Sequence, residues 1–347
     1  MAPTIESAEV IPYSLPFKDP YLTARGELHE RQMVLLRVRS AEGVTGLGEA
    51  VPMTLRGGAS LAVVVEELRD WADTPGEANA AMSAPARCAI ETAGLDLEAR
   101  TAEVPLWKLL GADSAKPVEC NATLPAGEPL PVAQRALEWA AAGFRSFKLK
   151  VGIGDDLDQV ILVRRAVGGE ANLRVDANGV WQPDEAIENL NAMHGEARLE
   201  LAEQPCSSLA ELESLRGRTS VRICADESVA DLQQAETAAR RHACDLATVK
   251  LSKVGGPREA LRIAEALPVY MSSAIDGPVG IAAAAHTVQA LPAEDDAGVA
   301  HGLATQRLLA GKIGRLRCEL REGFLELPDG PGLGVEIDDA ALDRHRL

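Results

Sequence analysis

Two textures of apolar and polar positions divide this chain. In the opening third, IESAEVIPYSL (residues 5–15), RQMVLLRVRS (31–40) and AEGVTGLGEA (41–50) are β-rich, the last with turn glycines, and predict antiparallel strands. PFKDPYLTARGELHE (16–30) is polar without a period and reads as a loop. SLAVVVEELRDWAD (60–73) and APARCAIETAGLDLEARTA (84–102) space apolar residues three to four apart, the mark of amphipathic helices. Residues 1–115 therefore read as a small α+β domain.

From about residue 118 a strand-then-helix rhythm takes over. Strands are predicted in ECNATL, SFKLKV, NLRVDA, LELAEQ, RICADE, LATVKL, VYMSS and AGVAHG. Helical patterns lie between them, for example in PVAQRALEWAAAG, DDLDQVILVRRAV, PDEAIENLNAMH and PREALRIAEAL. Eight strands with connecting helices fit a closed parallel barrel over residues 116–320 better than an open sheet. The turn-rich tail, 321–347, is expected to leave the barrel and pack on the first domain.

Composition narrows the function. The 347 residues suggest roughly two domains, and 46% hydrophobic content supports a large core. A formal charge of −17 argues against a nucleic-acid or membrane-surface binder, since phosphate recognition wants a basic face. The six cysteines contain no C-x-x-C pair and read as reduced, buried thiols. With no signal-type leader and no long apolar run, the expected location is cytoplasmic. The glycines of GIGDD and SKVGGP match no dinucleotide-binding pattern.

The chemistry gathers at the C-terminal ends of the predicted strands, where barrel enzymes keep it. The second strand ends in Lys148 and Lys150, the third in Asp176 with Asn178 beyond it, and the fourth in Glu203. The fifth ends in Asp226 and Glu227, the sixth in Lys250. Each step is one strand-plus-helix unit, so these groups should converge at the barrel mouth. Singly, K-x-K is strand decoration, D-A-N-G a turn and D-E a helix cap. In order, one per unit, they read as an active site.

Three adjacent carboxylates repel unless a cation lies among them, and hard oxygens without His or Cys suit Mg²⁺. Lys148 and Lys150 then flank one side of the ion and Lys250 the other. A lysine beside a second ammonium and a divalent ion loses proton affinity, which would make Lys150 a base.

These motifs, FKLKVG, VDANG, AEQP, ADES, VKLSKVGG and PGLGV, with ARCAIETAGLDLEAR in the first domain, resemble the enolase superfamily in its muconate-lactonizing-enzyme-like branch. The resemblance implies an N-terminal capping domain, completed by the tail, over a modified (β/α)₇β TIM-type barrel. It implies metal ligation by Asp176, Glu203 and Asp226, with Mg²⁺ as cofactor and Mn²⁺ as a possible substitute. Asn178 and Glu227 would support those ligands. The shared step is removal of a proton next to a carboxylate, so a small-molecule carboxylate is the expected partner and a homo-oligomer the expected assembly.

Late in the chain, YMSSAIDGPVGIAAAAH and VAHGLATQRLLAGKI look most like the o-succinylbenzoate synthases of menaquinone biosynthesis. The likeness assigns Ser272, Ser273, Ala274, Gly302, Leu303, Ala304 and Thr305 to the substrate's succinyl side. Asp276 matches an acidic position common across the branch. The implied reaction dehydrates 2-succinyl-6-hydroxy-2,4-cyclohexadiene-1-carboxylate: Lys150 takes the ring proton and returns it to the departing hydroxyl on the same face, while Lys250 stays cationic. The cap loop would contribute Leu22, Thr23 and Arg25, and MTLRGG (53–58) a second cap loop. Alternatives are an N-acylamino-acid racemase or dipeptide epimerase, a muconate-type cycloisomerase, and a non-catalytic member. The Asp-x-Asp usual near the eighth strand of the epimerases is missing. Trp71 and Trp107 read as core; His286 and His301 read as structural or pocket-lining.

Overall fold

The computed structural model describes residues 3–23, 26–54, 57–292, 298–316 and 318–347. The chain opens in an antiparallel sheet of Ile5–Thr23, Gly26–Ser40 and Thr45–Ala50, in that spatial order. The apolar run of the middle strand is explained by burial on both faces. Met33 and Leu35 join the barrel-side core, while Val34, Leu36 and Val38 pack with Val64, Leu68 and Trp71 of the first cap helix.

Residues 16–23 and 26–30 are not the loop their polarity implied. They form the outer half of a hairpin: Tyr21 pairs with Leu28 and Thr23 with Gly26, beyond an irregularity between Pro16 and Tyr21. Backbone pairing needs no apolar alternation where a strand overhangs into solvent, so no periodic signal marks it. The hairpin's buried anchors are Phe17 and Tyr21, whose rings stack at 5.5 Å.

Two helices, Leu61–Asp73 and Ala84–Thr101, complete the cap. The Ser60 hydroxyl caps the first by accepting from Val63 N at 3.3 Å. The second lies so close to strand Thr45–Ala50 that a Cβ on Gly48 would sit 1.9 Å from the Ala89 carbonyl oxygen. Only glycine permits that approach.

Seven parallel strands follow in chain order round one curled sheet: Ala122–Leu124, Ser146–Lys150, Asn172–Asp176, Leu201–Glu203, Arg222–Ala225, Leu246–Val249 and Val269–Met271. The expected eighth strand is reduced to bridging residues. His301 N donates to Glu119 O at 2.7 Å on one side, and Gly302 N to Met271 O at 2.8 Å on the other, closing the ring. The fold is thus a modified (β/α)₇β barrel with an N-terminal α+β cap.

The tail divides its contacts. Strand Phe324–Glu326 pairs with Val118–Glu119 beneath the barrel. Farther on, Asp96 of the cap, fully buried, accepts from Leu47 N at 2.9 Å and Leu333 N at 2.7 Å. Leu347 N reaches Pro12 O at 3.0 Å. Trp71, Trp107 and all six cysteines are buried, the cysteines as free thiols. Among the described residues no helix is long and apolar enough to cross a membrane.

Candidate active site

Strand register brings the acidic residues to one height. Lys150 lies beside Asp176, and Asp176 beside Glu203, as direct neighbours on adjacent strands. Glu203 pairs with Cys224, and Asp226 follows two residues later on the same side. The three carboxylates are wholly buried.

Lysines answer them. Asp176 Oδ2 lies between the two ammonium groups of the K-x-K pair, 2.9 Å from Lys148 Nζ and 2.6 Å from Lys150 Nζ. Lys148 also reaches Glu203 Oε1 at 2.6 Å, and Lys150 donates to Asn178 Oδ1 at 2.9 Å. Asn178 in turn donates to Glu227 Oε1 at 3.2 Å. Across the mouth Lys250 pairs with Asp226 Oδ2. Lys253, three residues on, donates to Asp226 Oδ1 at 3.0 Å and to the Asp226 and Thr248 carbonyls at 2.6 and 2.7 Å. From below, the Tyr270 hydroxyl donates to Glu203 Oε2, with the Arg174 guanidinium 5.1 Å over its ring.

The electrostatics follow from burial and partners. Burial alone would lower Lys148, but Asp176 and Glu203 outweigh it and hold the ammonium well above its ordinary range. Burial and then the neighbouring Asp176 push the Glu203 carboxyl up, against the pull of Lys148.

Among the described residues, no three His, Cys, Asp or Glu side chains converge tightly enough, as they stand, to ligate one ion. Lysine ammoniums hold those oxygens instead. The donor chemistry nevertheless fits a hard divalent cation: three buried carboxylates on neighbouring strands, with Asp176 and Asp226 both raising Glu203 by repulsion. A cation relieves that repulsion. Asp176, Glu203 and Asp226 are the residues that would hold it.

Above the acids lies a cavity. Lys148, Lys150, Lys250 and Asn178 form its floor. Ser272, Ser273, Ala274, Ile275 and Thr305 form one wall, where Ser273 Oγ and Thr305 Oγ1 are hydrogen-bonded at 2.7 Å. Tyr21, Leu28, Arg31 and Met53 close it from the cap.

Several expected contacts stand elsewhere. Gly302 is the closing bridge beside Ser272, where a Cβ would lie 2.4 Å from Ser272 Oγ. Leu303 is core, and Ala304 and Leu22 do not line the cavity either. Asp276 braces the wall, accepting from Ala274 N at 2.6 Å and donating its own N–H to Ser273 Oγ at 2.9 Å. Arg25 and the Thr23 side chain lie outside the described residues, as do Leu55 and Arg56 of the second cap loop. His286 is structural: Nδ1 accepts from Trp107 N at 3.0 Å, and burial pulls the ring down to about 4. His301 Nδ1 likewise accepts from Met271 N at 3.0 Å.

Arg31, Thr123 and Lys253 were not named from the sequence, whereas Tyr21 and Leu28 belong to the expected cap loop and Met53 to the expected second one. Arg31 had a signal: it shares the barrel-facing side of its strand with Met33 and Leu35. Lys253 had one too, three residues after Lys250 and thus on the same face of a helical turn.

Comparison with known proteins agrees with this geometry. The "Enolase C-terminal domain-like" family matches residues 131–341, and the "Mandelate racemase / muconate lactonizing enzyme, N-terminal domain" family residues 6–111. An o-succinylbenzoate synthase from Mycobacterium leprae is 36% identical over 265 residues, 72% of this chain and 75% of that protein. Muconate cycloisomerase 1 from Pseudomonas putida is 30% identical over 368 residues, 96% of each chain. The crystal structure of a dipeptide epimerase from Enterococcus faecalis, complexed with Mg and L-Leu-L-Tyr, superposes with a TM-score of 0.89 at 28% identity, covering 96% of this chain and 99% of that one.

Proposed function

The chain belongs to the enolase superfamily, in its mandelate racemase/muconate lactonizing enzyme branch, and we propose that it is an Mg²⁺-dependent o-succinylbenzoate synthase acting in menaquinone biosynthesis. One observation carries the choice of substrate. Among the described residues lining the cavity there are three lysines and Arg31, and no Asp or Glu. Such a lining suits a substrate with two carboxylates and no ammonium. A dipeptide, whose free amine needs an acid, fits it poorly. The two segments that resemble o-succinylbenzoate synthases also meet, through the Ser272–Gly302 bridge and the Ser273–Thr305 hydrogen bond.

A divalent cation held by Asp176, Glu203 and Asp226, Mg²⁺ or in its place Mn²⁺, would supply Lewis-acid charge for the substrate carboxylate. Lys150, held by Asp176 and Asn178 and entering the step as the free amine, removes the ring proton adjacent to that carboxylate and becomes an ammonium. The same ammonium returns the proton to the leaving hydroxyl, so one water departs and the ring becomes aromatic. Lys250, fixed on Asp226 across the mouth, keeps its charge and opposes the negative charge that develops on the substrate. Lys148 keeps Asp176 and Glu203 oriented. A cytoplasmic, homo-oligomeric enzyme is part of the same proposal.

A second reading has support of its own. Lys150 and Lys250 stand at opposite ends of the cavity floor, the arrangement that racemising an N-succinylamino acid requires, and that substrate also lacks an ammonium. Purified protein with Mg²⁺ is tested on the cyclohexadiene acid by the absorbance change of aromatisation, and on N-succinylamino acids by α-hydrogen exchange in D₂O. Aromatisation is the expected activity; exchange with no aromatisation would transfer the assignment to the racemase.

A further inference from the structure

The third strand of the cap ends against the barrel. Glu49, at its end, is buried and turns its carboxylate onto the N-terminus of the barrel helix Pro278–Val288. Gly277 N donates to Glu49 Oε1 at 2.6 Å and Gly280 N at 3.4 Å. The Tyr13 hydroxyl, from the first cap strand, donates to Oε2 at 2.9 Å. Two residues after Glu49, Val51 N donates to Ser252 Oγ at 3.3 Å, just beyond Lys250. A single cap carboxylate thus receives three donors, two of them in the chain immediately after the cavity wall Ser272–Ile275.

That wall is strained. Ile275, a β-branched residue, sits at φ 62°, a region such side chains rarely occupy. The Ser273, Ala274 and Asp276 hydrogen bonds hold the turn together internally. Glu49 joins the chain just after that turn to the cap, which forms the facing wall. The join has no slack: a Cβ on Gly277 would lie 2.3 Å from the Tyr13 hydroxyl oxygen and 2.6 Å from Glu49 Oε2. A Cβ on Gly280 would lie 2.7 Å from Asp276 Cβ and 2.9 Å from Glu49 Oε1.

We propose that Glu49, seconded by Tyr13, is a positioning residue for substrate selection: it sets the strained turn Ser272–Ile275 against the cap and so fixes the span between that turn and Arg31. The inference rests on the cavity being the substrate pocket, and on dehydration only for the choice of assay. Burial and the nearby Asp276 push the Glu49 carboxyl up to about 8, against the hydrogen bonds from Tyr13, Gly277 and Gly280, which pull it down. A glutamine keeps an acceptor oxygen there, and an alanine does not.

Full-length, Mg²⁺-loaded Glu49→Ala, Glu49→Gln and Tyr13→Phe proteins are compared with wild type by two readouts. One is the ratio of kcat/KM for two dicarboxylates differing by one methylene in the distal arm; the other is amide hydrogen exchange over residues 272–280. Alanine should shift the ratio by about tenfold and speed exchange, with glutamine back within about twofold of wild type and Tyr13→Phe between. A lower melting temperature with ratio and exchange unchanged would reduce Glu49 to a structural residue and overturn the proposal. So would a glutamine variant no better than alanine. The ratio can be taken on any carboxylate pair the wild type turns over. A wild type silent on the cyclohexadiene acid therefore overturns the dehydration reading alone, and the exchange readout still judges Glu49.

Discussion

The floor of the cavity and its wall are built by opposite means. Lys148, Lys150 and Lys250 on the floor, and Asp176, Glu203 and Asp226 beneath them, come from successive strands and are placed by strand register. The wall joins Ser272–Ile275 to Thr305 and faces cap residues more than two hundred positions away in the chain. A floor of that kind can hold one proton-transfer chemistry constant. A wall of that kind can change substrate by small shifts of one domain against another. Variants on the floor should therefore cost turnover, and variants on the wall should cost affinity and selectivity.

The largest effect is expected from Asp176, which both holds ammonium groups and would ligate the cation. Asp176→Asn, or removal of the cation by a chelator, should lower kcat by about a thousandfold or more, restored by added Mg²⁺ only in the wild type. Steady-state assays of chelated and refilled protein check this; full activity without a divalent ion would contradict it.

On the wall, Arg31→Met should raise KM for the two-carboxylate substrate by about tenfold and leave kcat within a few-fold, the cost of one charge-assisted hydrogen bond. An equal fall in kcat with KM unchanged would place Arg31 with the floor.

Smaller effects concern how the cap is joined to the barrel. His286 links Trp107 of the cap side to Leu333 of the tail, and burial lowers it from 6.5 to about 4. Because the unfolded chain binds that proton more readily, the stability contribution is complete above pH 6.5. It is lost as pH falls toward 4, by on the order of 3 kcal/mol. Urea unfolding of wild type and His286→Gln across that window should show the wild type losing more; parallel curves would refute it. The smallest effect belongs to the exposed Asp19–Arg135 pair at 2.8 Å, which moors the cap hairpin to helix Pro129–Ala141. Asp19→Asn should change unfolding free energy by less than about 1 kcal/mol.

The same contrast explains what was legible in the sequence. Lys148, Lys150, Asp176, Glu203, Asp226 and Lys250 could be read because each ends an apolar run, and strand-plus-helix units repeat at a steady interval. The barrel strands could be read for the same reason, being buried on both faces. The pairing of residues 16–23 with 26–30 escaped because pairing in the backbone leaves no mark on a solvent-facing sequence. Tyr21, Arg31 and Met53 reach the cavity through the docking of one domain on the other, a long-range fact that no local period records.

The account stands or falls on Lys150 as the group that removes the proton. With Mg²⁺ saturating, aromatisation of the cyclohexadiene acid by wild type and by Lys150→Ala should differ by about 10³-fold or more, with the same melting temperature and the same Mg²⁺ binding. A Lys150→Ala protein that aromatises the substrate at a rate near wild type would contradict it.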